Sequence, residues 1–181
     1  MSGAARGAAA AGGAAPGGAA AAGGPVVFAS PAALAHDGVV GTSLGPSSWL
    51  TVDQDRIQAF ADATGDQQWI HTDPARASDG PFGATIAHGY LTLSLLPAFT
   101  AELYRVEGAS AAINYGADKL RFVQPVRSGS RVRAVGEITA ADSGASGVKL
   151  AYRVTVEIEG ESRPALVVDT ITLFVPSPSR N

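Results

Sequence analysis

At 181 residues with a net charge of -3, the chain has room for a sizeable core and lacks the dense cationic surface that a nucleic-acid partner requires. It contains no cysteine, which excludes disulfides, thiolate catalysis and Cys-based metal sites. Its three histidines, His36, His71 and His88, are not paired at the i, i+4 spacing of a helical zinc site, so no metal is expected.

Met1 to Pro25 is almost entirely Ala and Gly, with Arg6 as its single charge. Such a stretch has little bulky apolar surface to set against the entropy of ordering, and a disordered tail is expected. Repeated glycine and Pro16 interrupt the continuous apolar run that a signal peptide needs, so a cytoplasmic location is expected. One domain is expected over residues 26–177, followed by a short tail, 178–181. Val26, Val27 and Phe28 begin it, and Val39-Val40-Gly41 and Ser48-Trp49-Leu50 are short apolar pieces with no clear period.

Thr51-Val52-Asp53-Gln54 reads as a capping box, with the Thr hydroxyl on the N3 amide and Gln54 reaching back. Ile57, Phe60, Ala61 and Thr64 repeat at helical spacing, and Gly65 terminates the run. Asp73 followed by Pro74 reads as an N-cap with proline at the first helical position. Asp66 and His71 then lie off the helices, in a short connection that can turn both toward one spot. From Ile86 to Ala101 there is no charged residue, which predicts a central helix wrapped by protein, Gly89 near its start and Pro97 bending it. His88, Gly89 and Pro97 within so short a run argue against a membrane span.

Beyond Gly108 the period changes to two. Val148, Leu150, Tyr152, Val154, Val156 and Ile158 alternate with polar or small residues, as a strand with one wet face does. Residues 111–122, 131–139 and 164–175 supply three more strands, separated by turns at Ser128-Gly129-Ser130, Ser143-Gly144 and Glu159-Gly160-Glu161. Helices followed by antiparallel strands give an α+β order, with the apolar helix on the concave face of the sheet.

The stretch from Phe60 to His71, then Ile86-Ala87-His88-Gly89-Tyr90-Leu91-Thr92, resembles the MaoC-like (R)-specific enoyl-CoA hydratases, particularly their nodulation-protein-N-like branch. The resemblance runs from about Thr51 to the C-terminus and includes Lys119-Leu120-Arg121-Phe122 and Pro125-Val126. It implies a hot-dog fold, usually dimeric, and hydration of trans-2-enoyl-CoA to (R)-3-hydroxyacyl-CoA or the reverse dehydration. No separate cofactor is implied, coenzyme A being part of the substrate. The family's motif, Gly-Asp-x-Asn-Pro-aliphatic-His, is matched by Gly65, Asp66, Ile70 and His71, while Gln68 and Trp69 replace Asn and Pro. Some members carry a serine near Pro97, whereas Ser94 lies one turn earlier and takes no role here.

Hydrating an α,β-unsaturated thioester needs a base for the water, a proton for the α-carbon and a donor for the enolate oxygen. Asp66 and His71 are expected to share the proton steps, and the Gly89 N–H at a helix start to serve the enolate. His88 either touches the substrate or makes a structural hydrogen bond. Trp69 is expected to point into the acyl tunnel. Lys119, Arg121, Arg127, Arg131 and Arg133 form an acid-free basic stretch that reads equally as a contact for coenzyme A phosphates or as a solvated strand face. A symmetric homodimer is expected, because a single curved sheet leaves an edge to cover. A hot-dog thioesterase and a non-catalytic acyl-CoA binding module are the alternatives.

Overall fold

The computed structural model describes residues 24–177. The expected tails therefore fall outside the described residues, except for Gly24 and Pro25. Four long strands, β5 (Ala109–Phe122), β6 (Ser130–Gly144), β7 (Gly147–Ile158) and β8 (Leu166–Pro176), form the body of an antiparallel sheet ordered β6-β7-β8-β5. Two short strands, β2 (Ser43–Leu44) and β3 (Leu50–Val52), both pair antiparallel with β6 at different places along it. A separate parallel pair joins β1 (Val26–Phe28) to β4 (Tyr104–Val106).

The period-two pattern is realised most cleanly in β7. All six expected inward residues, Val148 to Ile158, are buried, and their neighbours are at least partly open to water. They pack with Ile138 of β6 and Leu166 and Val168 of β8 in the main core. Across that face lies the central helix, in two pieces: α4 (Gly89–Ser94) and α5 (Leu96–Leu103), joined at Leu95. Proline explains the break. Pro97 has no N–H to give the Leu93 carbonyl, so the ladder is interrupted one turn before it, and Pro97 sits in the first turn of α5.

The helix buries Leu91, Leu95, Leu96, Phe99 and Leu103 against the sheet. Its other face is not wrapped as the uncharged run suggests: Tyr90, Ser94 and Pro97 are exposed on the single chain. No helix among the described residues is long and apolar enough to cross a membrane.

The start of α1 (Gln54–Thr64) differs from the capping-box expectation. Asp53 is the N-cap, its carboxylate accepting from Arg56 N–H at 2.9 Å, while Thr51 is drawn into β3 by pairing with Arg131. Ile57 and Ala61 are its fully buried positions, Phe60 is half-buried, and Thr64 is exposed. Gly65 ends the helix as expected, in the left-handed region at φ 78° with its N–H on the Ala61 carbonyl at 2.8 Å. Two short helices follow, α2 (Trp69–Thr72) and α3 (Pro74–Ser78), the latter capped by the Asp73 carboxylate on Arg76 N–H.

Candidate active site

The left-handed turn at Gly65 releases Asp66 from α1 into a connection stitched by side chains. Asp66 Oδ1 accepts from Gln68 N–H at 3.4 Å, and Gln67 Nε2 reaches back to the Asp62 carboxylate on α1 at 2.7 Å. Asp66 stays off the helices as expected. His71 does not: it lies within α2, its N–H on the Gln68 carbonyl at 2.9 Å. That turn aims the imidazole inward, leaving it 7 % exposed, whereas the Asp66 side chain is 55 % exposed.

A backbone carbonyl fixes the tautomer of His71. Nδ1 lies 2.7 Å from the Ile86 oxygen, which can only accept, so Nδ1 carries the proton and Nε2 keeps a lone pair. Burial, the largest cause, lowers the His71 pKa below the ordinary histidine value. The Ile86 carbonyl opposes this, the neighbouring His88 adds to it, and Asp66 opposes it. His71 is therefore neutral at neutral pH, with a basic nitrogen available.

His88 stands at the head of α4, directly against this pair. Its Nε2 donates to the backbone oxygen of Asp66 at 3.0 Å, its ring stacks on His71, and Phe60 covers it at 5.1 Å. Its buried Nδ1 has no protein partner. Ligand atoms of Asp66, His71 and His88 lie within 4.8 Å of one another. The stacking argues against a shared ion: lone pairs of near-parallel rings run side by side in separate planes and do not converge on one centre about 2 Å from each.

His71, Gly89, Thr92, Phe82 and Phe122 line one cavity of about 300 Å³. Gly89 is the first residue of α4, where an N–H has no intrahelical acceptor. A Cβ at Gly89 would meet the Phe122 ring at 3.0 Å. The glycine thus permits that close approach.

Trp69 does not take the expected direction. Its indole packs on the α3 side, beneath the Arg76 guanidinium at 4.3 Å and beside Gly80, and it does not line the cavity. The basic stretch divides. Lys119 pairs with Asp169 at 3.2 Å, Arg131 with Glu159 and Arg133 with Glu157, as a strand face does. Arg121 donates to the Leu120 carbonyl, and Arg127 donates to the carbonyl of Phe82 on the cavity wall. Arg163, which no local pattern marks, donates to Val123 on the same wall. Gln54, expected to reach back as a capping partner, instead donates to the His71 carbonyl and accepts from Thr85, contacts between distant segments that no local pattern marks.

Residues 36–159 match the family described as "MaoC like domain". The 3-hydroxyacyl-thioester dehydratase Z of Mycobacterium tuberculosis is 48 % identical over 149 residues, covering 82 % of this chain and 97 % of that protein. Nodulation protein N of Rhizobium leguminosarum is 48 % identical over 143 residues, covering 77 % of this chain and 89 % of its own. Among solved structures, the (R)-hydratase from A. caviae involved in PHA biosynthesis superposes with a TM-score of 0.62 at 24 % identity, over 75 % of this chain and 96 % of its own. That likeness shows the fold, a hot-dog in which an antiparallel sheet wraps a central helix.

Proposed function

The chain belongs to the MaoC-like domain family, and on that premise we propose that it is a hydro-lyase adding water to trans-2-enoyl thioesters to give (R)-3-hydroxyacyl thioesters, or running the reverse dehydration. The supporting observation is the placement of His71: buried, held as the Nδ1–H tautomer by Ile86, beside Asp66 and in one cavity with Gly89.

In the hydration direction, His71 Nε2 and the Asp66 carboxylate hold a water. Its proton passes to His71 Nε2 as the C3–O bond forms, the C2–C3 π pair shifts to C1–C2, and the C1=O π pair moves onto the thioester oxygen. The Gly89 N–H stabilises that enolate. Collapse of the enolate then takes a proton at C2 from the same pair, returning both groups to their starting state. A neutral His71 suits this role, since an imidazolium would have no lone pair for the water.

For the carrier end of the thioester, Arg121 and Arg127 remain the cationic contacts, with Lys119 engaged by Asp169. The proposal includes a homodimer, supported by β5, which among the described residues pairs with β8 alone and exposes Ile113, Tyr115 and Phe122.

Loss of the conjugated enoyl-thioester absorbance with crotonyl-CoA and longer homologues tests the activity. Asp66→Asn and His71→Ala should each lower kcat by about two to four orders of magnitude with the fold intact. Retention of most activity in either variant would remove that residue from the mechanism, and free thiol released in place of hydration would mean a thioesterase.

A further inference from the structure

Gln54 opens α1 and does not line the cavity, yet both ends of its amide are engaged by the segments that hold the His71 ring. Nε2 donates to the His71 carbonyl at 2.8 Å, and Oε1 accepts from the Thr85 hydroxyl. These partners fix the orientation of the amide, since a flipped group would set oxygen against the His71 oxygen.

Thr85 is itself anchored. It is buried, its backbone oxygen accepts from Ser128 N–H at 2.8 Å, and Ala87 N–H donates to the Val126 carbonyl at 2.7 Å. Residues 85–87 are thus pinned to the chain between β5 and β6. From that base Ile86 grips α2 twice, through N–H to the Ile70 carbonyl at 3.0 Å and through its own oxygen to His71 Nδ1.

The α2 helix needs this support. It is a single turn of four residues, its N-terminus has no side-chain cap, and one turn of helix does not hold itself in water. The eleven-residue α1 is a stiffer frame, closed at both ends by Asp53 and Gly65.

We propose that Gln54 is a positioning residue for the reaction, acting through His71: its amide locks α2 to Thr85, itself pinned to the β5–β6 connection, keeping the imidazole on Ile86 at the wall of the cavity. This rests on the reading of His71 as a group that handles the attacking water. A displacement of that base by even an ångström is enough to slow a proton transfer by about a hundredfold.

Three measurements test it. Gln54→Leu removes both ends of the bridge and should lower kcat by roughly 10- to 100-fold while KM for crotonyl-CoA stays within about threefold. Gln54→Glu replaces the donor by a carboxylate that cannot donate. Its kcat relative to the unaltered enzyme should climb as pH falls into the carboxyl range, because a neutral acid again donates to His71 and accepts from Thr85. The titratable groups around this side chain are His71 from α2 and Asp53 and Asp55 beside it on α1, while Thr85 and Ile86 contribute none.

The third readout does not depend on turnover. Nitrogen NMR of His71 should show a fixed Nδ1–H tautomer in the unaltered protein and tautomer averaging in Gln54→Leu. If no enoyl thioester is hydrated by the unaltered protein, the functional reading fails, and the NMR comparison still decides the positioning. A Gln54→Leu protein with a lowered Tm, full kcat and an unaltered His71 spectrum would make Gln54 a brace for stability alone. Should that variant not fold, Thr85→Val loosens one end and should give a smaller loss of kcat in the same direction, and an unchanged kcat would overturn the idea.

Discussion

His71 and His88 stack with ring centroids 3.7 Å apart and planes 24° from parallel, so the two imidazoles share a face and exchange no hydrogen bond. Each has its tautomer set elsewhere, His71 by the Ile86 carbonyl and His88 by the Asp66 carbonyl. A proton on His71 would place an imidazolium flat against its neighbour in a buried site, so the packing favours a neutral His71.

A pH dependence follows, with its sign. Burial foremost, and His88 next among the lowering causes, hold the folded pKa of His71 below the ordinary value of about 6.5. Hydratase activity should stay level through neutral pH and decline only on the acid side of that value. Stability follows the same group: the unfolded chain takes up the proton more readily, so His71's contribution is whole above about pH 6.5 and is lost as pH falls toward the folded pKa. Thermal melts between pH 8 and 5 check this, with His71→Ala expected to lose less stability on acidification than the unaltered protein.

The sequence disclosed elements whose signals are local. The alternation in β7, the left-handed stop at Gly65 and the Asp73-Pro74 start of α3 each depend on neighbouring residues alone. The Asp66 to His71 spacing is local too, and the structure brings the two together. What stayed hidden depends on distant partners. Thr51 and Asp53 are both competent N-caps, and the choice is made by the pairing of β3 with β6, eighty residues along the chain. Lys119 reads as a free cation until the fold brings Asp169 to it. His88 lies 22 residues from Asp66, and no spacing rule connects its ring to that carbonyl.

Trp69 gives the second prediction. Its ring is held by Arg76 and by the close backbone of Gly80, so its removal opens a gap at the α2–α3 junction and leaves the cavity wall intact. Trp69→Ala should cost about 1 to 2 kcal/mol, below the range for a fully buried indole because the residue is only half-buried. Denaturant titration measures the loss. The chain-length profile across enoyl-CoAs should not change, and a gain for long chains would return the ring to the tunnel.

The exposed face of the single chain gives the third. Tyr90, 66 % exposed, meets Phe122 edge to face at 5.8 Å beside the cavity, and farther along β5, which pairs with β8 alone among the described residues, Ile113 and Tyr115 are exposed as well. Covering this face with a second copy removes both the open strand edge and the apolar surface. Sedimentation at micromolar concentration should give the mass of two chains. Ile113→Glu should shift the equilibrium toward single chains, with activity falling in step, and a monomeric unaltered protein with full activity would refute the arrangement.

The last prediction concerns Gly89. Alanine is the better helix former, so in an open first turn Gly89→Ala would stabilise the protein slightly. Here the new methyl would stand 3.0 Å from the Phe122 ring, tighter than ordinary contact, and one of the two must move. The backbone at the head of α4 is held by His88, buried with its side chain on Asp66, whereas Phe122 is 45 % exposed and free to swing. The ring should yield. Because Phe122 lines the cavity with His71, its displacement changes the space beside the Gly89 N–H, the proposed enolate donor, while leaving the core untouched. Gly89→Ala should therefore fold with a Tm within a few degrees of the parent and lose about 10- to 100-fold in kcat/KM for crotonyl-CoA, less than loss of an oxyanion donor outright. Adding Phe122→Leu removes the clash and should restore most of the activity. A double variant as slow as Gly89→Ala alone would show that the methyl itself obstructs the thioester at the Gly89 N–H, and that the packing of Phe122 is secondary.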